Sequence, residues 1–226
     1  MSTALLQTTL PRQATPIYYP ESDGKPMAET DTHRGAVNDL INALEIAFAD
    51  EPDVYVTGNL MFYYVEGNPR LCTSPDVMFA RGVSKEPPRR VYKLWEEGQA
   101  PQVVIEISSR KTWAEDLHKK WRLYERLGVL EYYIFDPEYD YLPDPLLAFR
   151  LQDGELAPVE VTDGRIYSET LGLDLVDTGA GLRLFNPATQ EFLLNVREEH
   201  AARRAAETEL ERLRAELEQL KNTTSA

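Results

Sequence analysis

The sequence predicts an α/β fold: a mixed central sheet flanked by helices, an antiparallel β extension and a C-terminal coiled-coil helix. Three observations carry this expectation. The run QVVIEISS, KTWAEDLHKKWRLYERLG, EYYIFDPE reads strand, helix, strand, which implies a parallel pair joined by a right-handed crossover. Between residue 139 and about 186, short alternating pieces are separated by Asp-Gly, Gly and Asn-Pro signals, the pattern of hairpins. Near the end, Leu210, Leu213, Leu217 and Leu220 are spaced three, four and three apart, as in an a/d heptad seam.

In chain order, residues 1–26 carry four prolines and little periodicity, and read as an irregular arm. Val37, Leu40, Ile41, Leu44 and Phe48 recur at helical spacing, so 34–49 is expected to be an amphipathic helix, with Asp31-Thr32 as its cap. DVYVTGNLMFYYVEGNPR, rich in β-branched and aromatic residues, reads as one strand ending in a Gly-Asn-Pro turn. PDVMFARG is a short strand, SKEPPRRVYKLWEEGQAP an exposed connection, and QVVIEISS the strongest buried strand. In the helix that follows, Trp113, Leu117, Trp121, Tyr124 and Leu127 form one apolar stripe, and Gly128 stops it. The domain reading is therefore an arm (1–26), a body (27–196) and a C-terminal helix (197–226). The leucine seam pairs with a second copy in a short coiled coil or packs back on its own body.

Composition excludes several classes. The chain has 226 residues, 42% of them hydrophobic and 27% charged, enough for a packed core. No apolar run approaches the ~20 residues of a membrane-spanning helix, and the first residues lack a basic start and an apolar stretch, so a cytoplasmic protein is expected. One cysteine, Cys72, and three histidines argue against disulfides and structural zinc. The net charge of −14 argues against nonspecific nucleic-acid affinity. Residues 81–126 run the other way, with 11 basic residues against 7 acidic ones.

Chemistry is suggested by two carboxylates. Strand alternation sends Asp76, Met78 and Ala80 to one face, and Val104, Glu106 and Ser108 share a face of the next strand. An isolated carboxylate in an apolar strand is expensive to bury. If the two converge, a cation between them relieves their repulsion, and carboxylate oxygens suit Mg²⁺ or Mn²⁺. The bland arrangement puts each at a strand end, in solvent or beside an arginine. Thr112, Asp116, Lys120 and Tyr124 form a four-residue-spaced row at the edge of the helix. That edge either looks back to the strand end, where functional groups of α/β folds collect, or carries an ordinary surface ion pair between Asp116 and Lys120. No Gly-rich phosphate loop supports a nucleotide site, and no G-x-S-x-G elbow makes Ser108 or Ser109 a nucleophile.

SPDVMFARG followed by VVIEISSRKTWAEDLHKKWRLYERLGVLEYYIFDP resembles the Uma family of bacterial proteins assigned as endonucleases, within the PD-(D/E)XK restriction-endonuclease-like superfamily. The features that carry the resemblance are Pro75-Asp76, Glu106 with Ser109 and Thr112, then Asp116, Lys120 and Tyr124, and the EYYIFDP strand. The resemblance spans roughly residues 27–186. It implies a restriction-endonuclease-like mixed sheet in which Asp76 and Glu106 bind Mg²⁺ (or Mn²⁺) and phosphodiester bonds of DNA are hydrolysed. Superfamily nucleases place a lysine two residues after the glutamate; here that position is Ser108, and Lys120 is the expected substitute. Glu29 is the expected further acidic residue, with Asp39 or Glu45 behind it and His33 able to assist. Arg110 and Lys111 are candidates for phosphate-backbone contact, and Ser108, Thr112, Asp116 and Tyr124 for support. The alternative is a catalytically inactive nuclease-fold module that acts in binding or assembly through the coiled coil. Either way, a homodimer through residues 200–221 is expected.

Overall fold

The computed structural model describes residues 17–22, 24 and 30–224. Helix α1, Asp31–Ala47, starts three residues earlier than expected, and its cap is Thr30, whose hydroxyl accepts the His33 amide at 3.1 Å. Thr30 is extended while Asp31 and Thr32 lie in the first turn, the geometry an N-cap requires. The expected single strand over 53–70 is two, β1 (Val54–Thr57) and β2 (Phe62–Tyr63). Gly58 and Asn59 break it. A Cβ at Gly58 would lie 1.9 Å from the main-chain oxygen of Asp76, and the Asn59 amide donates to the Pro75 carbonyl at 2.8 Å. The break therefore seats this segment directly on the chain that carries Asp76.

After β3 (Cys72–Thr73) comes β4 (Val77–Arg81), the short strand expected there. The stretch read as an exposed connection contains β5 (Tyr92–Lys93) and the short helix α2 (Leu94–Glu97). The reason is Tyr92, which is fully buried with its ring edge-on to Phe62 at 5.3 Å. Next are β6 (Val103–Ile107), α3 (Trp113–Glu115), a π turn (Asp116–Lys120), α4 (Trp121–Leu127) and β7 (Glu131–Phe135). Gly128 ends α4 in the left-handed region at φ 75°. Then follow β8 (Leu146–Gln152), β9 (Glu155–Val159), β10 (Arg165–Ser168), β11 (Leu173–Asp177), β12 (Leu182–Asn186), β13 (Glu191–Phe192) and α5 (Val196–Thr224).

The fold is mixed α/β, as the sequence predicts. The central sheet runs β1-β4-β6-β7-β8-β9; β6 and β7 are parallel and the other pairs antiparallel. A second, antiparallel sheet is β10-β11-β12-β13, and a small one is β3-β2-β5. Val37, Leu40 and Leu44 of α1 share one core with Val77, Phe79, Val103, Ile105 and the leucines of β11 and β12. Met78, Ala80, Val104, Tyr132 and Tyr124 build the core of the opposite face. The strand alternation is thus as read, and each fully buried aliphatic side chain contributes about 1.5–3 kcal/mol. α5 leaves the body: Leu210, Leu213 and Leu217 are 48%, 49% and 52% exposed, so these seam leucines do not pack back on it. Among the described residues no helix is long and apolar enough to cross a membrane.

Candidate active site

β4 and β6 pair with Val77 opposite Ile105, a register that carries Asp76 to the level of Glu106. Glu106 occupies an all-apolar strand covered on both faces and is fully buried. Such a carboxylate persists only with strong partners. Lys120 Nζ donates to its Oε2 at 2.8 Å, the Tyr124 hydroxyl to its Oε1 at 2.6 Å, and the Asp76 amide reaches Oε2 at 3.3 Å. Asp76 Oδ2 accepts the Ile107 amide at 2.8 Å and lies 3.4 Å from His33 Nε2. Lys120 Nζ also lies 3.0 Å from Asp116 Oδ1, while the Ser108 hydroxyl donates to Asp116 Oδ2 at 3.0 Å. Asp76, Glu106, Asp116, Lys120, Tyr124, Ser108 and His33 therefore form one cluster. It opens to solvent at Asp76 and Lys120, whose side chains are 14% and 16% exposed.

The π turn is what turns the helical row inward. In an α-helix, eight residues would swing Tyr124 about 80° from Asp116. The extra residue taken up by the π turn removes roughly 100°, which brings Asp116, Lys120 and Tyr124 onto one line facing β6. The Asp116–Lys120 pair, bland as a surface ion pair, is here inside the molecule. Thr112 shapes the approach: its hydroxyl accepts the Ser109 amide at 3.1 Å, closing the turn before α3. The Tyr132 hydroxyl donates to the Asp116 carbonyl at 3.0 Å and ties β7 to the π turn.

The charges are tightly linked. Burial pushes the Glu106 carboxyl up to about 8; Lys120 opposes this, and Asp76 and Asp116 add to it. Burial also acts to raise Asp76, but the His33 hydrogen bond, the Lys120 charge and the Ile107 amide outweigh it and hold the carboxyl below its ordinary value. Burial raises Asp116 against the pull of Lys120. Desolvation works to lower Lys120, yet Glu106, Asp116 and Asp76 keep it well above its ordinary value. Burial and then Glu106 keep the Tyr124 hydroxyl protonated. One ammonium thus serves three carboxyl groups.

Asp76 and Glu106 offer the hard oxygen donors that Mg²⁺ or Mn²⁺ takes, so the donor chemistry fits such an ion. Among the described residues, however, no group of three or more His, Cys, Asp and Glu is arranged to hold a metal. Glu29, expected as a further acidic residue, lies outside the described residues. Behind it, Asp39 finds its charged neighbours in Arg183, Arg197 and Glu198, and Glu45 is exposed. Arg110 and Lys111 are exposed on the turn between β6 and α3. The rest of the basic stretch is largely spoken for: Arg81 pairs with Glu51, Arg89 with Glu97, Arg90 with Glu21, Lys93 with Glu96 and Lys119 with Glu115.

Sequence reasoning undervalued two residues. His33, named from the sequence only as able to assist because a lone histidine at a helix start is commonly a capping or surface residue, is only 6% exposed and packs on Asp76. Its place in the first turn of α1, facing the end of β4, is a tertiary fact with no local signal. Asp136 reads as the close of a strand, yet it is fully buried and accepts the amides of Glu138, Tyr139, Asp140, Tyr141 and Leu142. The Asp-Pro step after EYYIF is the signal that marks it.

A family model described as "Uma2: Putative restriction endonuclease" matches residues 8–179. No curated protein matches the chain. Among solved structures, a crystal structure titled as that of "a putative nuclease belonging to DUF820 from Anabaena variabilis ATCC 29413" is similar over 67% of this chain and 81% of that one, with 14% identity and a TM-score of 0.48.

Proposed function

The chain belongs to the Uma2 family of assigned restriction endonucleases, and on that premise we propose that it is a Mg²⁺-dependent endonuclease that hydrolyses phosphodiester bonds in DNA. Asp76 and Glu106 hold the ion. When bound, the ion polarises the phosphodiester and lowers the pKa of a coordinated water. Lys120 supplies positive charge where negative charge develops on the phosphate, and Asp116, Tyr124 and Ser108 fix its position and that of Glu106. His33 orients Asp76. Arg110 and Lys111 meet the DNA backbone at the open end. α5 joins two copies through residues 200–221, which offsets the repulsion a −14 monomer exerts on a duplex. The single cysteine suits a reducing cytoplasm.

The observation that carries this reading is the convergence of Asp76 and Glu106 across β4 and β6 with Lys120 between helix and strand. A second reading, a catalytically inactive module of the nuclease fold, is favoured by Ser108 in the in-strand lysine position and by Glu106 oxygens already engaged by Lys120 and Tyr124. Incubation of purified protein with single- and double-stranded DNA plus Mg²⁺ or Mn²⁺ separates them. Cleavage that Asp76→Ala abolishes supports the nuclease; no cleavage with either ion, and no ion-induced rise in Tm, leaves the module.

A further inference from the structure

α5 carries a surface that the body does not use. It is held at its start, where Arg183 pairs with Glu198 at 2.8 Å and the Asn195 side chain accepts the Glu198 amide at 2.9 Å. From residue 199 to 217 every position is exposed. A 29-residue helix is about 44 Å long, so most of it projects away from the body with Leu210, Leu213 and Leu217 along one side.

We infer that this side is an orientation-selective interface: α5 pairs with α5 of a second copy in parallel, which puts both bodies at the same end of the rod. The inference rests on the pairing of two copies put forward above and adds its direction. With Leu210 and Leu217 at a, and Leu213 and Leu220 at d, the g positions are Glu209 and Glu216 and the e positions are Arg214 and Lys221. In a parallel pair each g residue meets the e residue of the next heptad across the seam. Glu209 then faces Arg214 of the partner subunit, and Glu216 faces Lys221 of the partner subunit, each contact made twice by the twofold. In an antiparallel pair g meets g and e meets e, which over residues 209–221 sets glutamates against glutamates and Arg or Lys against Arg or Lys. The apolar seam alone is indifferent to direction; the flanking charges are not. Over residues 209–221 the pattern is self-complementary, so a second copy pairs these g and e charges with no foreign sequence required; Glu207, at the e position one heptad earlier, pairs with Arg203 of its own helix at 2.9 Å. A parallel rod would hold the two bodies side by side at one end, whereas an antiparallel rod would hold them at opposite ends.

Disulfide trapping tests direction and pairing separately. In a Cys72→Ser background, Ala206→Cys and Leu213→Cys, both at d, are introduced one at a time, oxidised and analysed on non-reducing gels, with native mass from light scattering. A dimeric mass with both variants cross-linking to themselves is the expected result, since in a parallel pair every d residue meets its own copy. A dimeric mass with one or neither cross-linking overturns the parallel arrangement and leaves a dimer. A monomeric mass at concentrations up to about 100 µM overturns the pairing as well. None of these outcomes depends on DNA cleavage, so failure of the nuclease reading is distinguishable from failure of this one.

Discussion

Lys120 Nζ stands 2.8 Å from Glu106 Oε2 and 3.0 Å from Asp116 Oδ1, so one ammonium on a π turn is shared between a carboxyl group of a strand and one of its own helix. Removing one partner of a buried ion pair leaves an uncompensated charge and costs about 3–5 kcal/mol, more than the pair itself contributes. Lys120→Met is therefore expected to lower stability by about 3 kcal/mol in a urea titration at pH 9, above the Glu106 value of about 8, where that carboxyl is ionised. The double variant Lys120→Met with Glu106→Gln should recover part of that loss. A double variant no more stable than the single one would show that charge isolation is not the cause.

Glu106 gives stability a pH signature. Its folded-state pKa, about 8, lies above the ordinary carboxyl value, so the folded chain binds more protons than the unfolded chain across the window between them. The contribution of this group is fully present below about pH 4.5 and is lost as pH rises through about 8. Asp76 has the opposite sign: it is held low, so its contribution is present above the ordinary carboxyl value and lost only on acidification. Between pH 5 and 8 the Glu106 carboxyl takes up protons in the folded chain that the unfolded chain does not hold, while Asp76 is ionised in both. The Tm of Glu106→Gln minus that of the native chain, measured with chelator present, is expected to grow with pH over that range. A flat difference would contradict a strongly raised Glu106.

Divalent ions should act through Asp76. An ion that binds only the folded state stabilises it by RT ln(1 + [L]/Kd), about 2.7 kcal/mol at a hundred times Kd. Mg²⁺ or Mn²⁺ is expected to raise the Tm of the native chain, and not that of the near-isosteric Asp76→Asn.

His33 Nε2 lies 3.4 Å from Asp76 Oδ2, and on the proposed function it positions that carboxylate. Its loss should weaken ion binding by about 10–100-fold, the usual cost of removing a group that orients a ligand. The check is the ion concentration at half-maximal Tm shift for His33→Ala and for His33→Asn, which keeps a donor. A midpoint unchanged in His33→Ala would remove His33 from the site, whatever the effect on basal stability.

What was legible in the sequence divides along the range of the interaction. The alternation in PDVMFA and VVIEISS places Asp76 and Glu106 on the correct faces, because period-two burial is written locally. The β6–β7 crossover and the hairpins after residue 139 are likewise local texts of turn residues and apolar runs. The row from Thr112 to Tyr124 names residues that the structure brings together, but its inward turn depends on a π turn with no sequence signature of its own. The split at Gly58–Asn59 arises where one chain segment presses on another, and a strand-rich composition hides it. His33 could be named from the sequence only as a residue able to assist, because its partner is 43 positions away.

Asp136 follows β7, the parallel neighbour of the strand that carries Glu106. Its carboxylate accepts five main-chain amides, at 3.0, 3.1, 2.9, 2.6 and 3.2 Å, and so fixes the loop from Glu138 to Leu142 at the strand end. Amide bonds to an ionised acceptor are worth roughly 1.5–3 kcal/mol each in isolation, but the freed amides of an exposed loop recover most of that from water. Asp136→Ala is therefore expected to cost about 2–4 kcal/mol rather than the sum, and Asp136→Asn, which keeps one acceptor oxygen, about half as much. The loss should be local first. Limited proteolysis should open Asp136→Ala within residues 138–142 under conditions where the native chain stays intact, because a loop without its anchor unfolds ahead of the body. Cleavage elsewhere first, with this loop protected, would show that the carboxylate is not what holds it.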